Sequence, residues 1–198
     1  MIQGWDWYFV TSGFTLAIIV AAVAALNEIP AYGLIGLVPL LDTAPDLADN
    51  PWGDNESTIG LTPDRLLGDL RTVFEGKYPD CRDHWHSNPR KMPDEVLRVL
   101  PRTIMVSATL DILHKSQVLF SNRLRAQGVE VDRMEADGLH QVKDMNQVTE
   151  AGCAVRRYVK QKSIEFAKHA KCSAGGGPDV APTLNRQNVM TGLEAMAS

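Results

Sequence analysis

Asp111 and His140 are the two residues whose types and spacing best suit general-base chemistry in this chain. A carboxylate that accepts an imidazole N–H fixes the tautomer of the ring and stabilises the imidazolium that forms when the ring takes up a proton. An imidazole held in this way can remove a proton from a hydroxyl group or from water. The pair therefore predicts proton transfer by His140, oriented by Asp111.

The segments around these two residues predict a strand–helix–strand unit. In chain order they are a strand, a helix, a closing glycine and a second strand: 103–106, 117–126, Gly128 and 129–134. A right-handed crossover makes the two strands parallel, and Asp111 and His140 then follow their carboxyl ends, where ligands bind in open α/β sheets. From spacing alone, an ordinary βαβ unit with a surface Asp and a loop His explains the pattern equally well.

The amino-terminal segment predicts a second junction between a strand and a helix. Residues 5–10 are aromatic and apolar, which suits a strand. Residues 14–26 are almost wholly apolar and predict a helix buried beneath a sheet. The run 9–26 reaches the lower limit for a membrane span, but the break at Thr11-Ser12-Gly13 favours the buried helix, so no membrane partner is expected.

Several short segments resemble the C-terminal portion of the α/β-hydrolases, and most closely the hormone-sensitive-lipase-like esterases. They are Pro101, Ala108-Thr109-Leu110-Asp111-Ile112-Leu113, Phe120 with Arg123-Leu124, Gly128-Val129-Glu130-Val131 and Gly138-Leu139-His140. The resemblance covers roughly residues 5–160. It implies an α/β fold with a parallel sheet flanked by helices, in which Asp111 is the triad acid and His140 the triad base.

The sequence motif that surrounds the nucleophile in the family is degenerate in this chain. A nucleophile elbow reads Gly-x-Ser-x-Gly, because small residues permit the tight turn from strand to helix. If Thr11 takes the nucleophile position, Phe9 replaces the first glycine. If Ser12 takes it, Val10 and Phe14 replace both glycines. Both registers put a bulky residue in the turn, and both residues remain candidates.

The resemblance also implies a truncated sheet. The His-Gly-Gly loop that supplies an oxyanion-hole amide in the family does not occur in the 198 residues, and the family's amino-terminal strands have no counterpart. We expect a hydrolase-like domain over 1–171 with a lid-type insertion at about 43–95, and a flexible tail over 172–198. The strand at 5–10 would then be an exposed edge, which predicts a homodimer.

His84-Trp85-His86 forms the most distinctive loop in the predicted insertion. A zinc site needs three or four ligands, and no second pair accompanies the two histidines, so no metal is expected. The resemblance implies that this loop passes near the active site. Together with Gly13 and Leu139, which neighbour the predicted nucleophile and base, these three residues are predicted to contact a small-molecule substrate.

Composition excludes several other classes of protein. The net charge of −4 and the absence of a long Lys/Arg cluster argue against a nucleic-acid partner. The three cysteines lack metal-type spacing and suit a reduced, cytoplasmic protein. No phosphate-binding loop or dinucleotide fingerprint occurs, so no cofactor is expected.

Two functions remain open at this point. The first is a carboxylester hydrolase that acts on a small apolar ester or a polyketide-like substrate through Ser12 or Thr11, His140 and Asp111. The second is a repurposed hydrolase fold without acyl-enzyme chemistry. It would be a cyclase, dehydratase or isomerase in small-molecule biosynthesis, or a non-catalytic scaffold.

Overall fold

A four-stranded parallel sheet forms the centre of the molecule. The computed structural model describes residues 9–13, 15–27, 29, 31–75, 81–140 and 149–173. Its strands are β1 Phe9–Gly13, β2 Ala31–Leu37, β3 Thr103–Ala108 and β4 Val131–Ala136. Their order in the sheet is β1-β2-β3-β4, and each neighbouring pair is parallel. The predicted α/β class with a parallel sheet is confirmed.

Helices pack on both faces of this sheet. They are α1 Thr15–Leu26, α2 Pro63–Leu70, α3 Asp94–Leu97, α4 His114–Ala126 and α5 Glu150–Ser173. One hydrophobic cluster joins α1, α3 and α4 to Leu34 and Met105 of the sheet. A second cluster joins Val155 and Phe166 of α5 to the opposite face. The strands are therefore covered on both sides, as parallel strands usually are.

Helix α1 is largely buried because it is apolar on all sides, although Val23 remains 42% exposed. Its residues Ile18, Ala21 and Ala22 are fully buried in the cluster that it shares with α4. This is the packing predicted for a helix that lies beneath a sheet. None of the helices in the described part of the chain is long and apolar enough to cross a membrane.

Residues 32–41 are almost wholly apolar, which alone would predict a buried strand over the whole run, but strand β2 ends at Leu37. Val38 has a φ of 45°, a left-handed conformation that a β-branched residue rarely adopts, and it turns the chain out of the sheet after Leu37. The amide of Val38 still donates to the carbonyl of Val106 at 2.8 Å. Hydropathy alone does not reveal such a turn, because the residues after it remain apolar.

The segment between β2 and β3 is built from short elements. It includes α2, which Thr62 caps by accepting a hydrogen bond from the Arg65 amide at 3.3 Å. A third hydrophobic cluster joins Trp52, Leu66 and Leu70 of this segment to the residues that follow Asp111: Ile112 and Leu113. The expected lid-type insertion stays a prediction, and most of the expected tail, from 174 onward, lies outside the described residues.

Candidate active site

His140 and Asp111 form a hydrogen-bonded pair at the carboxyl end of the sheet. Nδ1 of His140 lies 2.5 Å from Oδ2 of Asp111. The carboxylate is completely buried, whereas the imidazole is 19% exposed. Because an ionised carboxylate can only accept a hydrogen bond, the ring proton lies on Nδ1 and Nε2 carries the lone pair. The structure thus brings together the two residues that the spacing singled out.

The carboxylate of Asp111 is fixed at its second oxygen as well. Oδ1 accepts a hydrogen bond from the backbone amide of Leu113 at 3.1 Å, and the backbone carbonyl of Asp111 accepts from the His114 amide at 3.0 Å. Both bonds form at the start of α4, where backbone amides lack partners within the helix. These bonds favour the orientation in which Oδ2 faces the imidazole.

The turns that follow β3 and β4 are tied directly to one another. The amide of Thr109 donates to the carbonyl of Ala136, and the amide of Leu110 donates to the carbonyl of Gly138, both at 3.0 Å. The hydroxyl of Thr109 lies 3.2 Å from a carboxylate oxygen of Asp137. These bonds extend the β3–β4 pairing past the ends of the strands, and so hold the His140 turn against the Asp111 turn.

Asn55 completes the support of the Asp111 turn, and sequence reasoning missed it. Its side-chain Nδ2 donates to the carbonyl of Thr109 at 2.8 Å and to the carbonyl of Asp111 at 2.9 Å. In the sequence Asn55 lies in a loop rich in Asp, Pro and Asn, where nothing distinguishes it from its neighbours. Only the folded chain reveals its position, 54 and 56 residues away from its two acceptors.

The predicted nucleophile positions lie lower in the sheet than the His–Asp pair. Thr11 and Ser12 are both part of β1, which continues to Gly13. The register aligns Thr11 with Leu34 and, through it, with Thr103, the first residue of β3. Asp111 follows the far end of that strand, so at ~3.3 Å per residue the Thr11 backbone lies on the order of 16 Å below the last β3 row. These rows describe the backbone, and the roles predicted for Thr11, Ser12 and Gly13 stay predictions.

Trp85, the third predicted substrate contact of this loop, is buried, and that contact stays a prediction. Its side chain is 4% exposed and belongs to the cluster beneath the sheet that contains Ala21 and Phe120. It packs there because an indole contributes more stability in an apolar core than at a polar loop surface. The buried indole of Trp85 therefore anchors its loop to the hydrophobic core.

His84 and His86 contact one another, and their predicted contact with substrate stays a prediction. Their Nδ1 atoms are 2.7 Å apart and their rings are stacked. Burial lowers the pKa of His86, and the nearby charge of His84 lowers it further, since both disfavour the protonated ring of His86. Among the residues that the structure describes, no group of three or more His, Cys, Asp or Glu could hold a metal ion.

Leu139, the remaining predicted substrate contact, is partly exposed directly before His140. Leu110, directly before Asp111, is 44% exposed. Each member of the pair is thus directly preceded in the sequence by a leucine that is accessible from solvent. An open groove of about 240 Å³ lies further along the same turn, against Ile112 and Leu113, but neither member of the pair lines it.

Comparison with known proteins identifies the fold. The sequence model of the α/β-hydrolase fold family matches residues 11–142, a segment that contains the strands β2, β3 and β4 and both members of the pair. The chain belongs to the α/β-hydrolase fold family. The resemblance predicted from the sequence is therefore confirmed. No curated protein matches this hydrolase-fold chain.

Solved structures with the same fold include three kinds of esterase. Carboxyl esterase 2 from the mycorrhizal fungus Tuber melanosporum is 21% identical, with 80% of this chain and 52% of that chain covered and a TM-score of 0.66. A fungal esterase from Rhizomucor miehei is 20% identical, with 78% and 47% covered and a TM-score of 0.65. Brefeldin A esterase, a bacterial homologue of human hormone-sensitive lipase, is 16% identical, with 78% and 45% covered and a TM-score of 0.64. This α/β-hydrolase chain spans about half the length of these proteins.

Proposed function

We propose that this α/β-hydrolase is a carboxylester hydrolase in which His140 is the general base and Asp111 is the residue that orients it. The observation that carries the proposal is the 2.5 Å contact between Nδ1 of His140 and the buried carboxylate of Asp111. The esterases among the similar solved structures support the same reaction class.

The pair has the properties that ester hydrolysis requires of a base. Nε2 of His140 accepts the proton of the attacking hydroxyl, and the same nitrogen then returns it to the alkoxide that leaves as the ester bond breaks. Asp111 keeps the proton on Nδ1 and stabilises the imidazolium between these two steps. A base positioned in this way contributes roughly 100- to 10,000-fold to the rate.

The proposed attacking group is the hydroxyl of Ser12 or of Thr11. Attack on the ester carbonyl would form an acyl-enzyme, which water would then hydrolyse with His140 again as the base. The register places both residues in rows below the carboxyl end of β3, so this route needs the attacking hydroxyl to reach Nε2 of His140 in the complex with substrate.

That same register supports a second candidate function, general-base catalysis without an acyl-enzyme. A cyclisation, dehydration or isomerisation needs His140 to move a proton but needs no nucleophile on the protein. Under this alternative the chain acts in small-molecule biosynthesis, or is a scaffold without catalysis.

The proposed substrate is a small apolar ester or a polyketide-like compound. Leu110 and Leu139 support this choice, because each exposes apolar surface directly before one member of the pair in the sequence. Apolar walls with few polar groups are typical of small-molecule sites. The predicted cytoplasmic location stays a prediction.

Hydrolysis of a short p-nitrophenyl ester separates the two candidates. The acyl-enzyme route predicts that His140→Ala and one of Ser12→Ala or Thr11→Ala abolish turnover, and that a fluorophosphonate probe labels the wild-type protein. Activity that is lost in His140→Ala but retained in both hydroxyl variants would contradict that route and favour the second candidate. Absence of both turnover and labelling would overturn the esterase proposal.

A further inference from the structure

The amide of Asn55 joins two backbone carbonyls on either side of Leu110. One N–H donates to Thr109 and the other to Asp111, at 2.8 and 2.9 Å. A primary amide has two N–H donors on one nitrogen, so Asn55 can hold both carbonyls at once. The acceptors also fix the orientation of the amide, because its own carbonyl oxygen could not face them.

Asn55 is itself mounted on a packed turn. Asn55 ends the 3-10 turn Gly53–Asn55, where its backbone N–H donates to the carbonyl of Trp52 at 3.3 Å. Trp52 is buried in the cluster that also contains Ile112 and Leu113. The hydroxyl of Thr58 donates to the carbonyl of Asn55 at 2.8 Å. The two donors are thus attached to the same core as the residues that follow Asp111.

We infer that Asn55 is a positioning residue that sets the direction of the Asp111 carboxylate, and through it the orientation of the His140 imidazole. The inference deepens the proposed function and rests on it for its kinetic consequence. Holding the carbonyls of residues 109 and 111 fixes the peptide units 109–110 and 111–112 around the Asp111 turn, so that Oδ2 points at Nδ1 of His140. Without the amide, the turn keeps its bonds to β4 but gains freedom on the opposite side.

The position of Asn55 also couples a separate segment to the base. Asn55 belongs to the stretch between β2 and β3, whereas the pair follows β3 and β4. The two hydrogen bonds and the cluster around Trp52 link that stretch to the Asp111 turn. A substrate that moves the stretch would therefore alter the orientation of the acid.

Proton NMR of the full chain without substrate tests this inference. An imidazole N–H bonded to a buried carboxylate gives a resonance far downfield, and its absence in His140→Ala assigns it. We expect Asn55→Ala to lose or broaden this resonance while its circular dichroism stays that of the wild type. Thr58→Ala, which removes a side-chain hydrogen bond from the same turn but leaves the amide in place, is the matched control and keeps the resonance.

Two results would overturn the inference. One is an Asn55→Ala protein whose downfield resonance matches the wild type in position and width. The other is an equal loss in Thr58→Ala, which would show that only the stability of the turn matters. If Asn55→Ala does not fold, Asn55→Gln serves in its place, since it keeps both donors but moves them by one methylene, and an unshifted resonance there would refute the role.

Kinetics give a second readout that depends on the proposed reaction. With an ester substrate, Asn55→Ala is expected to lower kcat on the order of 10- to 100-fold with KM little changed, because a misdirected base affects the chemical step. A rise in KM with kcat unchanged would overturn the positioning role. A chain with no esterase activity but a lost resonance in Asn55→Ala would refute the proposed function and leave the positioning role standing.

Discussion

Ala108 and Ala136 pair directly as the last residues of β3 and β4. Because the two strands are parallel and end in the same row, the residues that follow them leave the sheet together. Asp111 and His140 meet for this reason, although each belongs to a different turn. A register slip of one residue would move every side chain of β4 to the other face and separate the pair.

Replacement of the acid tests how His140 is oriented. Asp111→Asn leaves a side chain of the same shape but puts an N–H donor near Nδ1, which favours the tautomer with the proton on Nε2. We expect kcat for an ester substrate to fall ~10³- to 10⁴-fold with KM nearly unchanged. Steady-state kinetics measure this, and a loss of less than tenfold would show that Asp111 does not orient the base.

Leu110 is expected to influence the choice of substrate. Its exposed side chain directly precedes Asp111 and offers apolar surface to solvent. Leu110→Ser is predicted to lower kcat/KM for p-nitrophenyl butyrate more than for the acetate, by roughly 3- to 10-fold, because one or two methylenes in an apolar site contribute ~1 kcal/mol each. Equal losses on both esters would argue against a contact with the acyl chain.

Gly33 on β2 is predicted to tolerate no side chain. A Cβ at this position would clash with the ring of Phe166, which is 1% exposed between α5 and the sheet. We expect Gly33→Ala to lower the free energy of unfolding by ~1–3 kcal/mol, measured by urea denaturation. Gly68→Ala is the matched control: no atom lies near its Cβ in α2, and it should be stabilising by up to ~1 kcal/mol. The account of this face fails if both variants gain stability.

The attachment of α5 to β4 is predicted to weaken in acid. Burial raises the pKa of Asp132, but hydrogen bonds from Lys162 and Arg102 outweigh it and lower that pKa below its ordinary value. A carboxyl whose pKa is lower in the folded state stabilises the protein above its unfolded pKa, and this stability is lost as the pH falls through the folded value. The Tm advantage of wild type over Asp132→Asn should therefore shrink between pH 6 and pH 3. An advantage that does not change with pH would show that the ion pairs contribute nothing.

The homodimer stays a prediction. In the described sheet β1 pairs only with β2, which leaves its other side available for pairing with a further strand. Light scattering of the purified chain should give twice the monomer mass. A monodisperse monomer at micromolar concentration would contradict the prediction.

The sequence predicted those parts of the site that depend on periodicity and spacing. Parallel strands, a helix between them and an acid and a base at their ends follow from short-range patterns, and Asp111 and His140 are found where these patterns predict. Asn55 and Trp85 could not be predicted in this way. Their roles depend on contacts with residues distant in the chain, and a loop sequence carries no signal for such contacts.

The row of the sheet in which Thr11 lies could not be predicted either, because the register between strands is set by packing across the whole sheet. The apolar pattern predicts a strand at 5–10, of which 5–8 lie outside the described residues, whereas β1 extends through Thr11 to Gly13. The pattern also does not fix which residue of β1 lies opposite Leu34. The degenerate elbow was visible in the sequence, since Phe9 stands where a small residue is required. The sequence thus indicated that the nucleophile was unusual without showing where it would lie.

The most direct test of the account compares two histidines for the hydrolysis of p-nitrophenyl acetate. His140 is paired with the buried Asp111, whereas His114 is paired with the exposed Glu135 at 3.2 Å. The account predicts that His140→Ala lowers kcat by at least ~100-fold and that His114→Ala leaves it within about twofold of the wild type. Equal rates in wild type and His140→Ala would contradict the claim that the His140–Asp111 pair is the base.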